Sequence, residues 1–153
     1  MPDELLRPTI GAGVDVSVRP WRLMSQTYVA FFGGVIAATT IAFLNARRLG
    51  VDSAKVRLIL LTGAAGLVAS VVAFSLLDAR LASDDPYAAA ANIAATAIAL
   101  TCSYIQQRFQ RLMDRAFQLR GTDYRSLWKA GIAAAISGTV IHAVLVYLVD
   151  VAL

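Results

Sequence analysis

Apolar and polar positions alternate along this chain in long blocks. Four stretches, 24–45, 58–77, 88–105 and 130–149, contain no charged side chain, and each is bounded by charged or turn residues. A helix crossing the hydrocarbon core of a bilayer needs about 20 apolar residues, with a range of roughly 17–25. All four stretches meet that length. The third is the weakest, being rich in alanine and carrying Asn92. Buried helices of a soluble bundle would each keep a polar stripe, and these stretches show none. The pattern therefore predicts an all-α, four-helix transmembrane bundle. Residues 1–23 read as an irregular tail, with Pro2, Pro8, Gly11, Gly13 and Pro20, and residues 24–153 as a single membrane domain.

Small residues recur on particular helix faces. At 100° per residue, Gly131, Ala135 and Gly138 share one face of the last span with His142, the single histidine. Gly63, Gly66 and Ser70 form a similar face on the second span, and Gly33-Gly34 lies in the first. On the third span Asn92 shares a side with Ala88, Ala95, Ala99, Cys102 and Gln106. Small faces let helix backbones approach closely, which is the main source of association in lipid. Gly33, Gly34, Gly63, Gly66, Asn92, Gly131, Ala135 and Gly138 are the expected helix-packing positions.

The connection after the third span has a different period. Phe109, Leu112, Met113, Ala116 and Phe117 recur at helical spacing, while Arg108, Arg111 and Arg115 cluster about 140° away. No Gly or Pro separates this stretch from the third span, so that helix is expected to continue through 106–119 as a basic amphipathic extension ending at Gly121. Its surface, with Arg108, Arg111, Arg115, Phe109, Leu112 and Phe117, suits an anionic leaflet or a partner. Alternatively it packs back on the end of its own bundle.

Composition agrees with a membrane chain. Of 153 residues, 58% are hydrophobic and 16% charged, which excludes disorder. The lone Cys102 excludes a disulfide scaffold. A net charge of +4 raises the question of nucleic acid, but the basic residues lie in short loops beside apolar runs and form no groove-reading face. No nucleic-acid partner is expected.

Lysine and arginine set the orientation. Loop 46–57 holds Arg47, Arg48, Lys55 and Arg57. Loop 106–129 adds Arg108, Arg111, Arg115, Arg120, Arg125 and Lys129. The connection between the second and third spans has Arg80 beside Asp78, Asp84 and Asp85. Both basic loops are thus expected in the cytoplasm, which places the N-terminus outside if all four spans cross. The leader disagrees, because Arg7, Arg19 and Arg22 nearly match the first loop in charge. A cytoplasmic leader would require Gly33-Gly34 to mark a re-entrant turn, sheltered by protein. With the full crossing, Trp21, Arg19 and Arg22 would anchor the first helix among headgroups; packing of Trp21 on a neighbour is the other reading.

No nucleophile elbow, P-loop, dinucleotide fingerprint or zinc-protease motif is present, so no catalytic residue is expected. Intramembrane polar groups are costly and often functional. His142 could ligate a haem or chlorophyll-type cofactor or relay protons, or it could simply hydrogen-bond a neighbouring helix. Without His142 in that role, no cofactor is expected. Coupled transport normally uses an embedded carboxylate, and the spans contain none.

The run Gln26-Thr27-Tyr28-Val29-Ala30-Phe31-Phe32-Gly33-Gly34, then Ala37-Ala38, then Asn45-Ala46-Arg47-Arg48-Leu49-Gly50 resembles the first helix of a group of small uncharacterised bacterial membrane proteins. Gly121, Ser126, Trp128 and Lys129 resemble the opening of that group's last helix. The likeness covers about 40 residues. Val35 and Leu23-Met24-Ser25 stand where the group commonly has prolines. The resemblance implies a similar multi-helix architecture and no chemistry. The expected role is a non-enzymatic accessory or scaffold subunit of a bacterial inner-membrane assembly, partnered by lipid and by other subunits or a second copy. The alternative is a small cofactor-binding or transport protein centred on His142.

Overall fold

A computed structural model of the chain describes residues 18–80, 86–119, 121 and 123–152. Four helices follow in order: α1 (Leu23–Arg48), α2 (Ser53–Arg80), α3 (Pro86–Leu119) and α4 (Trp128–Ala152). Among the described residues there is no strand, only an isolated parallel bridge between Trp21 and Arg125. Among the described residues three helices are long and apolar enough, by length and composition, to cross a membrane: Ser53–Leu76, Trp128–Val149 and Leu23–Arg48, the last counted across an internal break. The chain is a helical membrane protein. The third expected span, 88–105, begins outside the residues over which these three are counted. Residues 1–17 and the acidic 81–85 connection fall outside the described residues, and with them most of the expected tail.

The first helix does not run straight. Gly34 has φ 69° and ψ −165° inside α1, a region essentially restricted to glycine. The chain reverses there. The Trp21 backbone N–H, before the first turn, donates to Asn45 Oδ1 in the last turn at 2.6 Å. The Arg48 guanidinium lies 3.8 Å from the centre of the Trp21 ring. A straight helix would separate residues 21 and 45 by about 36 Å at 1.5 Å per residue. Thus α1 is a hairpin with arms 23–33 and 35–48, about 16 and 21 Å long. Neither arm matches a hydrocarbon core of about 30 Å. The expected straight helix at 24–45 is corrected to a helical hairpin, and Trp21, 3% exposed, packs beneath Arg48, which is the second of its two expected readings.

The hairpin sits between the other helices. Its first arm runs beside α4 from the same end: a Cβ on Gly131 would meet Val29, and one on Gly138 would meet the Gly33 carbonyl oxygen and Ala37. Its second arm faces α2 and α3, where Gly63 abuts Thr39 and Gly66 abuts Val35 and Cys102. Helix α3 packs on α1 and α2, whereas α4 packs on α1 and, more sparsely, on α2. Among the described residues α3 and α4 do not pack on each other.

The turn after α1 explains how α2 is launched. Gly50, at φ 66°, follows the helix. Val51 N–H donates to Ala46 O at 2.9 Å and Gly50 N–H to Arg47 O at 3.3 Å, a Schellman-type closure. The Asp52 carboxylate then accepts the Ala54 N–H at 3.1 Å. An apolar cluster of Ala42, Ala46, Leu49, Val51, Ile59 and Phe117 seals this end.

Candidate functional site

Helix α3 continues unbroken through 106–119, and its inner face carries amides. Asn45 Nδ2 donates to Gln110 Oε1 at 3.0 Å, and Gln26 and Gln110 face each other at 3.5 Å. Gln107 Nε2 donates to Thr27 Oγ1 and Ser103 Oγ, each at 3.1 Å. Gln106 Nε2 donates to Thr39 Oγ1 at 2.9 Å and to Ile59 O at 3.2 Å. Gln26, Asn45, Gln106 and Gln110 are all buried to within 1%. These bonds reach both arms of the hairpin from one helix, at residues 26 and 27 on one arm and 39 and 45 on the other. Ring-facing neutral amides can close such a lock without bringing charge into the interior. The sequence reading placed only Gln106 on a helix face. The spacing Ser103, Gln106, Gln107, Gln110 was the available signal, since it puts four polar groups on one side of an otherwise apolar helix.

The amphipathic extension divides between two surroundings. Phe117 is fully buried in the apolar cluster, and Phe109 and Met113 pack against it. Leu112 is 68% exposed, and Arg108, Arg111 and Arg115 are exposed. Arg108 and Arg111 flank the Tyr104 ring, each 5.4 Å from its centre. The apolar face with Phe109 and Phe117 is therefore occupied by the chain's own core, leaving Leu112 and the arginines outward. Asp114, next on the helix, accepts Tyr124 Oη–H at 2.8 Å and Gln118 Nε2–H at 3.1 Å. Burial pushes its carboxyl up from the ordinary 3.8, against the lowering effect of those two hydrogen bonds and the Arg22 charge.

The expected packing glycines gather at the hairpin tip. Gly33 faces Ala135, where an added Cβ would come within 2.5 Å of the Ala135 Cα, and Gly138 meets the tip backbone. Thr139 Oγ1–H points at Phe32 O, at 3.5 Å, next to the break. Gly63 and Gly66 lie on the second arm's side. Asn92 faces outward and is exposed, with its backbone carbonyl accepting from Thr96. His142, one turn beyond Gly138, stands edge-on to Phe74 of α2 at 5.5 Å, and its Nε2 has no hydrogen-bond partner among the described residues. No group of three His, Cys, Asp or Glu is gathered among the described residues.

A groove of about 910 Å³ opens between the first arm of α1 and the start of α4. Val29, Leu127 and Gly131 form its buried floor. Tyr28 and Phe32 rise on one side, and Trp128, Ile132 and Ile136 on the other, all with large exposure. Arg19, Arg22 and Arg125 stand at one end, with Asp123 the one acidic side chain in the lining. Arg22 lies 5.5 Å over the Tyr124 ring, and the Arg125 N–H donates to Pro20 O at 2.9 Å. Sequence reading missed the groove because its halves, 19–32 and 123–136, are separated by two helices.

Compared with family models, curated proteins and solved structures, the chain matches none of them.

Proposed function

We propose that the chain is a non-enzymatic accessory or scaffold subunit of a membrane assembly, seated in a bacterial inner membrane with its basic end in the cytoplasm. The observation that carries this reading is the one-sided support of α4. Gly131, Ala135 and Gly138 seat that helix on the hairpin, while Val140, Val144, Tyr147 and Leu148 stay exposed and, among the described residues, α3 does not pack on it. A flank of this kind is open to a neighbouring subunit or a second copy, which would displace lipid from it. The interior amides support the same reading, since their bonds hold the hairpin in place. In this arrangement α2, α3 and α4 cross and α1 dips in from the cytoplasmic side. Arg19 and Arg22 then join Arg47, Arg48 and Arg125 on one side, in keeping with the positive-inside bias.

Intact mass measurement in a gentle detergent tests the role. The expected result is a stoichiometric complex that Val144→Trp dissolves and Leu61→Trp, on α2, leaves whole. A monomer under all conditions overturns it. A second reading, cofactor binding at His142, draws on the unpartnered Nε2; an absorption spectrum without a Soret or chlorin band would remove it.

A further inference from the structure

We propose that the groove between α1 and α4 is a binding site for one anionic phospholipid, its phosphate held by Arg19, Arg22 and Arg125 and one acyl chain lying between Phe32 and Ile136. The argument rests on charge and shape together. Among the described residues Arg19, Arg22 and Arg125 line the basic end with Asp123, and Asp114 lies one hydrogen bond away through Tyr124. Three cationic side chains thus stand against two carboxyl groups, so the head of the groove keeps a net positive charge. Guanidinium groups present planar forks of donors that match phosphate oxygens. From that head the lining turns apolar along the helix axes, with Tyr28 and Phe32 facing Ile132 and Ile136. An amphiphile has that same order of charge and hydrocarbon, whereas a free anion would use the head alone.

The floor is deep for a local reason. Gly131 places no side chain over Val29, and a Cβ there would lie 3.1 Å from Val29 Cγ2. Because the first arm ends at Gly34, the groove is closed toward the hairpin tip by Ala135 pressed on Gly33. At the mouth, Trp128 is 76% exposed, and indole rings favour the headgroup level of a bilayer. That places the arginine head where lipid phosphates lie. The site does not depend on the subunit role, since it is built from this chain alone.

The test uses the full chain purified from nanodiscs containing equal phosphatidylglycerol and phosphatidylcholine, with retained lipid counted by native mass spectrometry. Wild type is expected to keep one phosphatidylglycerol, at least tenfold over phosphatidylcholine. The triple variant Arg19→Gln, Arg22→Gln, Arg125→Gln should lose that preference, while Arg108→Gln, Arg111→Gln, Arg115→Gln, equal in charge removed, should keep it. Equal retention of the two lipids by wild type overturns the proposal. So does an equal loss in both triple variants, which would mean bulk charge alone. Displacement of the bound lipid by millimolar inorganic phosphate would also overturn it, by identifying a free-phosphate site.

Discussion

At the scale of single residues, the two adjacent glycines of the hairpin tip are required for different reasons. Gly34 has open space where a Cβ would go, but its φ of 69° with ψ −165° is a conformation that L side chains resist. Gly34→Ala should therefore keep every contact and still destabilise by about 1–3 kcal/mol, through backbone strain. Gly138→Ala acts by volume, since the new methyl would lie 2.7 Å from the Gly33 carbonyl oxygen and 2.9 Å from Ala37 N. It too should cost about 1–3 kcal/mol, and it should also push α4 off the tip. Thermal unfolding in detergent measures both losses. A disulfide placed between α1 and α4 separates them, its yield falling only in Gly138→Ala. Asp114 offers a pH signature. Its folded carboxyl is raised by burial, so the stability it contributes is complete below the unfolded value of about 3.9 and is lost as pH rises through the folded one. Asp114→Asn removes that dependence. The melting temperature of wild type minus that of the variant should fall as pH rises from about 4 toward neutrality.

At the scale of elements, α3 is the clamp that keeps the two arms of α1 together. Gln110→Leu keeps much of the side-chain volume but leaves Asn45 Nδ2 and the Gln26 amide without their buried partner. An unsatisfied buried polar group costs about 1–3 kcal/mol. The expected outcome is faster hydrogen exchange in residues 23–48 with little change in 53–76; uniform exchange across both would contradict the clamp. The legibility of this arrangement in the sequence was uneven. Periodicity showed that Phe109 and Phe117 form one face, but not that Ala46, Leu49 and Ile59 cover it, because those residues come from α1, the turn after it and α2. Gly33-Gly34 was visible as a pair and is equally compatible with helix packing, which reads as a straight span. Only the leader's Arg7, Arg19 and Arg22, nearly matching the first loop in charge, argued for reversal. His142 was legible as a polar group in an apolar stretch, while its neighbour Phe74 was not, since it lies on another helix.

At the scale of the whole molecule, the hairpin changes how charge is distributed about the fold. With Trp21 beside Asn45, the start of α1 lies at the same end as the turn 49–52 and the 121–127 connection. Reporters fused at residue 1 and inserted after Gly121 should therefore be found in one compartment, and a reporter at the C-terminus in the other. A residue-1 reporter on the opposite side from the Gly121 insertion would overturn the proposed placement. The four-block hydropathy pattern could not distinguish this from four crossings, because a hairpin of two short apolar arms and a single long span have the same composition.

The break at Gly34 also bears on the order in which the protein is assembled. The hairpin leaves the ribosome before the other three helices, yet its tip rests on Gly138 of α4 and its amides on Gln110 of α3. Hydrocarbon offers no hydrogen bonds to a broken backbone or to bare amides. The hairpin therefore has no stable seat until α3 and α4 have followed it, and it takes its place after them.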